Sequence, residues 1–225
     1  MCSTCSMPSI DILRLEGVVP EVFASDTTHV GGDVWLTDLV LERGRTYRVE
    51  AASGRGKSSL CAYLYGLRAD YRGHIYIGGR DAATLTVADW CALRRRHLAY
   101  VPQGLDLFAD LSALDNVLIK NRLTGFRTEA GIRADFDRLG LGGLADRPAG
   151  RLSVGQQQRV AIIRALCQPF DFILLDEPVS HLDEANNRLC AALVAECAAA
   201  QGAAVVATSV GNPLAVTGDV MTLAL

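Results

Sequence analysis

Apolar and polar residues change their spacing along this chain so that strand-like and helix-like segments alternate. Ile10–Leu15 and Val34–Leu41 alternate apolar with polar positions, the two-residue period of a strand with one buried face. They predict two early antiparallel strands. Thr46–Ala51 predicts a short strand running into a glycine-rich turn, and Lys57–Tyr65 predicts the helix that follows. Further strands are expected at His74–Ile77, closed by Gly78-Gly79, and at Leu98–Val101. From Gly104 to Gly150 the chain turns polar and helical, punctuated by Gly140, Gly142, Gly143 and Pro148. Val160, Ile163, Leu166 and Cys167 recur at helical spacing within Ser153–Cys167. Phe172–Leu175 and Ala204–Thr208 are continuous apolar runs, as strands buried on both faces of a parallel sheet require. The expectation is one α/β domain over 1–225 with a mostly parallel sheet. An N-terminal antiparallel β subdomain precedes it, and a helical subdomain is inserted at about 104–165.

Composition narrows the function classes. Half of the 225 residues are hydrophobic, enough to bury a full core. The net charge of −3 gives no basic footprint, so nucleic acid is not an expected partner. The apolar stretch Ala191–Ala207 is broken by Glu196, Gln201 and Gly202. It reads as a helix, a turn and a buried strand, not as the roughly 20-residue span that crosses a bilayer. The start, MCSTCSMPSIDILRL, lacks the charged and apolar regions of a secretory signal. Seven cysteines, odd in number and scattered, suit a reducing cytoplasm. Cys2 and Cys5 form a lone CxxC with no second pair at zinc-site spacing.

Three segments carry chemistry. Ala51-Ala52-Ser53-Gly54-Arg55-Gly56-Lys57-Ser58 fits the phosphate-loop pattern GxxxxGK[ST], except that its first glycine is Ala51. Gly54 and Gly56 let backbone N–H groups turn toward phosphate oxygens, and the following helix presents its positive end. Lys57 supplies a point charge to the β and γ phosphates, and the Ser58 hydroxyl can ligate Mg²⁺. The bland alternative is a glycine turn capping a helix. Phe172-Ile173-Leu174-Leu175-Asp176-Glu177-Pro178 delivers two carboxylates at the end of a buried strand, where α/β sheets place ligands. Asp176 suits a Mg²⁺ ion, and Glu177 suits polarising an attacking water as general base. Its bland alternative is a solvated acidic turn. Leu152-Ser153-Val154-Gly155-Gln156-Gln157-Gln158-Arg159 starts a helix with Ser153 as N-cap, a second anion site. One nucleotide does not need two phosphate cradles from one chain, so this helix end is expected to cap ATP bound by another copy.

These elements resemble the nucleotide-binding subunits of ABC transporters over nearly the whole length. The resemblance runs in order through the phosphate loop, Val101-Pro102-Gln103 (similar to the Q-loop), LSVGQQQR (similar to the LSGGQ signature), the Asp-Glu strand and Ser180-His181-Leu182-Asp183 (similar to the D-loop). It implies a P-loop NTPase core and two subunits that sandwich ATP and Mg²⁺ head to tail. Ser53, Gly54, Arg55, Gly56, Lys57, Ser58 and Ser59 would hold the nucleotide of one copy, and Ser153, Gly155 and Gln156 that of the other. Gln103 would contact Mg²⁺ and water and link the site to a membrane permease, while Asp183 would couple the two sites. Phe23 falls where the family keeps an aromatic against adenine, and reads equally as a core residue. The resemblance implies ATP hydrolysis that powers transport, a homodimer or heterodimer, and a cytoplasmic place at the cell membrane through permease subunits. Its details look most like lipoprotein-release and macrolide-export systems. Leu93-Arg94-Arg95-Arg96-His97 reads as a solvated helix end rather than a nucleic-acid patch.

Three positions depart from the family pattern: Ala51, Val154 and Ser209. Ser209 stands where the family's switch histidine belongs, and the four histidines, His29, His74, His97 and His181, lie elsewhere. A hydroxyl is shorter than an imidazole and cannot carry its charge. Two classes therefore stay open, a slow transporter ATPase and a nucleotide-binding regulatory or structural subunit with little turnover. A soluble ABC ATPase of DNA repair or translation is a third, without the tandem domains or coiled-coil inserts usual there.

Overall fold

A computed structural model describes residues 9–25, 30–52 and 54–225; Cys2, Cys5, His29 and Ser53 lie outside them. Nine strands form two sheets among these residues. The first is antiparallel, in the order β2-β1-β4-β5, from β1 (Ile12–Pro20), β2 (Asp38–Glu42), β4 (Tyr71–Ile77) and β5 (Arg80–Asp81). The second is parallel throughout, in the order β6-β7-β8-β3-β9. Its strands are β3 (Thr46–Glu50), β6 (Leu98–Val101), β7 (Phe172–Asp176), β8 (Ala204–Ser209) and β9 (Val220–Ala224). The helices are α1 (Lys57–Leu64), α2 (Val87–Arg96), α3 (Ala113–Asn121), α4 (Glu129–Arg138), α5 (Val154–Leu166) and α6 (Glu184–Gln201).

The parallel sheet divides the apolar interior because successive residues on a strand face opposite ways. Ile173 and Leu175 of β7, with Val205 and Ala207 of β8, pack into a core shared with α3, α5 and α6. Phe172, Leu174, Ala204 and Val206 face the other way, onto α1 and the antiparallel sheet. All five residues of β7 are buried, which explains why its sequence is unbroken by polar residues. The antiparallel strand β2 alternates exposed and buried positions, as a sheet with one wet face should.

Two sequence expectations are corrected. The Val34–Leu41 segment is a strand only from Asp38; Val34 and Trp35 are buried in a turn in which Leu36 takes φ 60°. That turn is fixed by long-range pairing, with Asp33 N donating to Ala224 O (2.8 Å) and Ala224 N donating to the Asp33 carboxylate (2.9 Å). Local alternation carries no record of a partner so distant in sequence. The second correction is at the Leu93–His97 helix end, where Arg95 and Arg96 are exposed but His97 is not. His97 is 8% exposed, and its Nδ1 lies 2.6 Å from Asp171 Oδ2. Arg94 donates to the carbonyls of Tyr65 (3.0 Å) and Gly66 (2.6 Å). These contacts pin the start of β7 and the end of α1, so the run is largely structural.

Candidate functional site

The central parallel strands β3, β7 and β8 all end at the same edge, and the loops leaving them build the first cluster. From β3 the chain enters the glycine-rich loop, with Gly54 at φ 82° and Gly56 at φ 95°, backbone that side-chain-bearing residues rarely adopt. Gly56 is also enclosed: a Cβ there would stand 3.1 Å from the Trp35 ring and 3.4 Å from Phe23. Trp35 Nε1 donates to Arg55 O (3.1 Å), so the turn described above braces the loop. Ala51, the departure from the loop pattern, is not among the non-glycine residues with positive φ, which are Leu36, Leu105, Asp106 and Glu177. The missing glycine therefore imposes no backbone strain.

No side chain caps α1. The first N–H groups of a helix have no partner within it, so this end is built for an acceptor from outside. Lys57 is only 4% exposed, yet its ammonium donates to Ala51 O (3.0 Å) and Ala52 O (2.9 Å) and lies 3.8 Å from Glu177 Oε1. A buried cation needs such partners. The Ser59 hydroxyl, by contrast, accepts from Arg68 Nη1 (2.9 Å).

Asp176 and Glu177 meet the loop from β7. Asp176 is 1% exposed and Glu177 turns out of the strand at φ 49°, an uncommon conformation for its residue type. Thr208 on the neighbouring strand β8 holds both. Its Oγ1 donates to Asp176 Oδ1 (2.9 Å) and accepts from Glu177 N (3.1 Å). The Cys61 thiol is pushed well up by its burial in α1, reinforced by the charge of Asp176, and serves as inert packing. Ser58 Oγ stands 3.5 Å from Gln103 Oε1, which brings the loop after β6 to the start of α1. Ser209, buried at the end of β8, lines an open cavity of about 460 Å³ with Glu50, Ala51 and Ala52.

The second cluster forms around the start of α5. Ser153 Oγ accepts from Gln156 N (3.3 Å) while Gln156 Oε1 accepts from Ser153 N (2.9 Å), a reciprocal capping box. Val154, the departure from the signature pattern, occupies the first helical position and is half exposed. The segment 180–183 packs beside it. Gln158 Nε2 donates to Ser180 Oγ (2.9 Å), and His181 N donates to Gln158 Oε1 (3.1 Å). Asp183 caps α6 by accepting from Asn186 N (2.8 Å), and that bond holds its carboxyl below the usual carboxylate range.

The structure thus gathers Gly54, Arg55, Gly56, Lys57, Ser58, Gln103, Asp176, Glu177 and Ser209 at one sheet edge, with half-buried Phe23 against Gly56. Ser153, Gly155, Gln156 and Asp183 belong to the other cluster. Three contributors carried no motif signal. Trp35 braces the loop and Thr208 positions both acids. Arg164 donates to Leu105 O and Asp106 O (2.6 Å each), clamping the left-handed turn after Gln103 onto α5. A hydroxyl at the end of a buried strand was the one available hint for Thr208.

Comparison with known proteins identifies the family. Residues 37–180 match the family model "ABC transporter". The macrolide export ATP-binding/permease protein MacB of Shewanella sp. (strain W3-18-1) is 36% identical over 173 residues, covering 72% of this chain and 26% of that protein. MacB of Rhodopseudomonas palustris (strain BisB18) is 41% identical over 153 residues, covering 67% and 23%. The chain therefore spans about a quarter of the length of these relatives. Among solved structures, the dimeric bacterial ABC transporter cassette MJ0796 superposes with a TM-score of 0.74 at 25% identity, covering 88% of this chain and 87% of that one. A post-hydrolysis dimer of MJ0796 bound to ADP and Pi matches with the same TM-score at 26% identity, covering 89% and 88%.

Proposed function

The chain belongs to the ABC transporter family, and from that premise we propose that it is an ATPase subunit that powers a membrane transporter by closing head to tail on ATP. The observation that carries this reading is the separation of two anion-receptive helix starts, α1 and α5, into different clusters of one chain. A triphosphate held at α1 leaves α5 of the same copy free to serve a second copy. The relatives support the pairing: MJ0796 is dimeric in both matching structures. The unit that pairs is a single ATP-binding domain, as homodimer or as heterodimer with another ATP-binding subunit.

On this reading Gly54, Arg55, Gly56 and Ser58 receive the phosphates with Ser53 and the backbone of Ser59. Lys57 leaves the carbonyls of Ala51 and Ala52 for the phosphate oxygens. Glu177 polarises the attacking water, held in place by the bond from its backbone N–H to Thr208. Among the described residues no three His, Cys, Asp or Glu side chains cluster as a metal cage. The donor set of Ser58, Gln103 and Asp176 suits Mg²⁺, which takes few protein ligands alongside phosphate oxygens. When bound, that ion would neutralise charge on the phosphates. We assign Phe23, against Gly56, to stack on the base.

The permease is proposed to meet the face beside Gln103. A cavity of about 290 Å³ there is lined by Pro102, Phe108, Ile119, Leu123, Lys120 and Arg164 among others. Phe108 and Leu123 are more than half exposed, and burial depresses the Lys120 ammonium below its ordinary value. The MacB relatives are named as combined ATP-binding/permease proteins, which supports the reading that this chain serves permease subunits from the cytoplasmic side of the membrane. Among the described residues no helix is long and apolar enough to cross a membrane.

A second reading, a nucleotide-binding regulatory or structural subunit, is favoured by one observation, the serine at position 209. Phosphate release by wild type and Glu177→Gln separates the two. The ATPase reading expects slow hydrolysis that falls roughly 10²–10⁴-fold in the variant, with ATP binding and dimerisation kept. Equal release by both proteins would leave the binding-subunit reading in place.

A further inference from the structure

The imidazole missing at Ser209 has a candidate replacement. His181 lies in the segment 180–183, is exposed, and sits against the start of α5. A Cβ added to Gly155 would stand 3.0 Å from His181 O, so the two backbones are in van der Waals contact. The other described histidines are committed elsewhere. His74 pairs with Asp81 (2.9 Å) on the antiparallel sheet, and His97 is buried with Asp171 at the opposite end of the parallel strands.

The groups around His181 are best paired by one tautomer of its ring. The backbone N–H of His181 can only donate, so the Gln158 atom it meets at 3.1 Å is the carbonyl Oε1. The other end of that amide, Nε2, therefore donates, to Ser180 Oγ (2.9 Å) and toward His181 Nδ1 (3.4 Å). The Ser180 hydroxyl keeps its own proton and lies 3.0 Å from His181 Nδ1, so an unprotonated Nδ1 gives both that O–H and the Gln158 amide an acceptor. In that tautomer the ring N–H is on Nε2. The ring then offers Nε2–H as a donor, with Ser180 and Gln158 at its other nitrogen.

We propose that His181 supplies this donor to the γ-phosphate bound by the opposite copy, in the role that Ser209 of that copy is too short to fill. The inference rests on the head-to-tail pairing proposed above. In that pairing the start of α5 approaches the phosphates of the other subunit, and His181, in contact with Gly155, travels with it. Each active site then draws Lys57 and Glu177 from one chain and His181 from the other. No bond is made or broken at the imidazole. It donates a hydrogen bond that strengthens as charge develops on the transferring phosphoryl oxygens.

Mixed dimers test this directly, with phosphate release and ATP-dependent dimerisation as readouts. The His181→Ala homodimer should form on ATP as wild type does while releasing phosphate about 10²-fold more slowly, the usual cost of losing one well-placed donor. His181→Gln, which keeps an amide donor, should retain part of the rate, and adding Ser209→His to His181→Ala should restore it. A dimer of Glu177→Gln with His181→Ala keeps one complete site if the histidine acts across the interface. A dimer of wild type with the Glu177→Gln/His181→Ala double variant keeps none. Both dimers contain the same two substitutions in total, so folding costs cancel. The first should be the faster. The reverse order would place His181 in its own chain's site, and equal rates would remove it from catalysis; either result overturns the proposal. Failure of wild type to dimerise on ATP would instead overturn the pairing on which the proposal stands, and is read separately by light scattering.

Discussion

The helix starts of α1 and α5 offer an anion the same thing, free N–H groups and the positive end of a helix dipole, but they are finished in opposite ways. α1 has no side-chain cap, follows two left-handed glycines, and opens onto a buried lysine bonded to backbone carbonyls. α5 is sealed by a capping box and carries exposed residues at its mouth. The first is incomplete without a ligand, and its sheet-edge setting holds the reacting groups. The second is complete alone and needs nothing until a phosphate arrives from another molecule. One end is a receptor, the other a lid.

That contrast can be broken most severely at Lys57. Lys57→Ala should weaken ATP binding roughly 10²-fold, since a hydrogen bond to a charged group contributes about 1.5–3 kcal/mol; calorimetric titration of the monomer reads it. Gly155→Ala attacks the lid alone. Its Cβ would stand 3.0 Å from His181 O and 3.1 Å from Leu182 Cδ2, so the segment 180–183 must shift. ATP-driven dimerisation should weaken about tenfold, with monomer affinity for ATP unchanged; this follows from crowding in a tightly packed contact, where overpacking costs about 1–3 kcal/mol. Thr208→Val tests whether the receptor depends on its buried hydroxyl. Leaving Asp176 and the Glu177 N–H without that partner should cost about 1–3 kcal/mol of stability, read by denaturant unfolding, and should slow hydrolysis more than it weakens ATP binding. The smallest effect is expected from Ser153→Ala, which removes the cap of α5. A loss of about 1 kcal/mol should appear in unfolding, together with weaker dimerisation. An equal effect of Ser153→Ala on monomer ATP binding would erase the division between receptor and lid.

How much of this was legible beforehand differs between the two ends. The receptor's motif residues could be read because phosphate chemistry fixes both residue type and offset: Gly54, Gly56, Lys57 and Ser58 must be neighbours in the chain. Trp35 and Thr208 carry no local motif because they reach the site from a separate turn and strand, through contacts with Arg55, Asp176 and Glu177. The left-handed turn at Leu36 carries the pattern of a strand because alternation reports burial, and Val34 and Trp35 are buried. β9 gave little periodic signal, being exposed at most positions along one edge of the parallel sheet.

The sequence by itself determined the α/β class, the order of its motifs and the family, because buried parallel strands and phosphate loops impose local patterns of residue type. Only the tertiary structure decided that Ala51 needs no left-handed backbone, that Arg164 clamps the turn beyond Gln103, and that Gln158 and Ser180 meet His181 at Nδ1. Each of those depends on atoms brought within hydrogen-bond distance by packing, and a hydrogen bond is decided by distance and angle, which no one-dimensional spacing records.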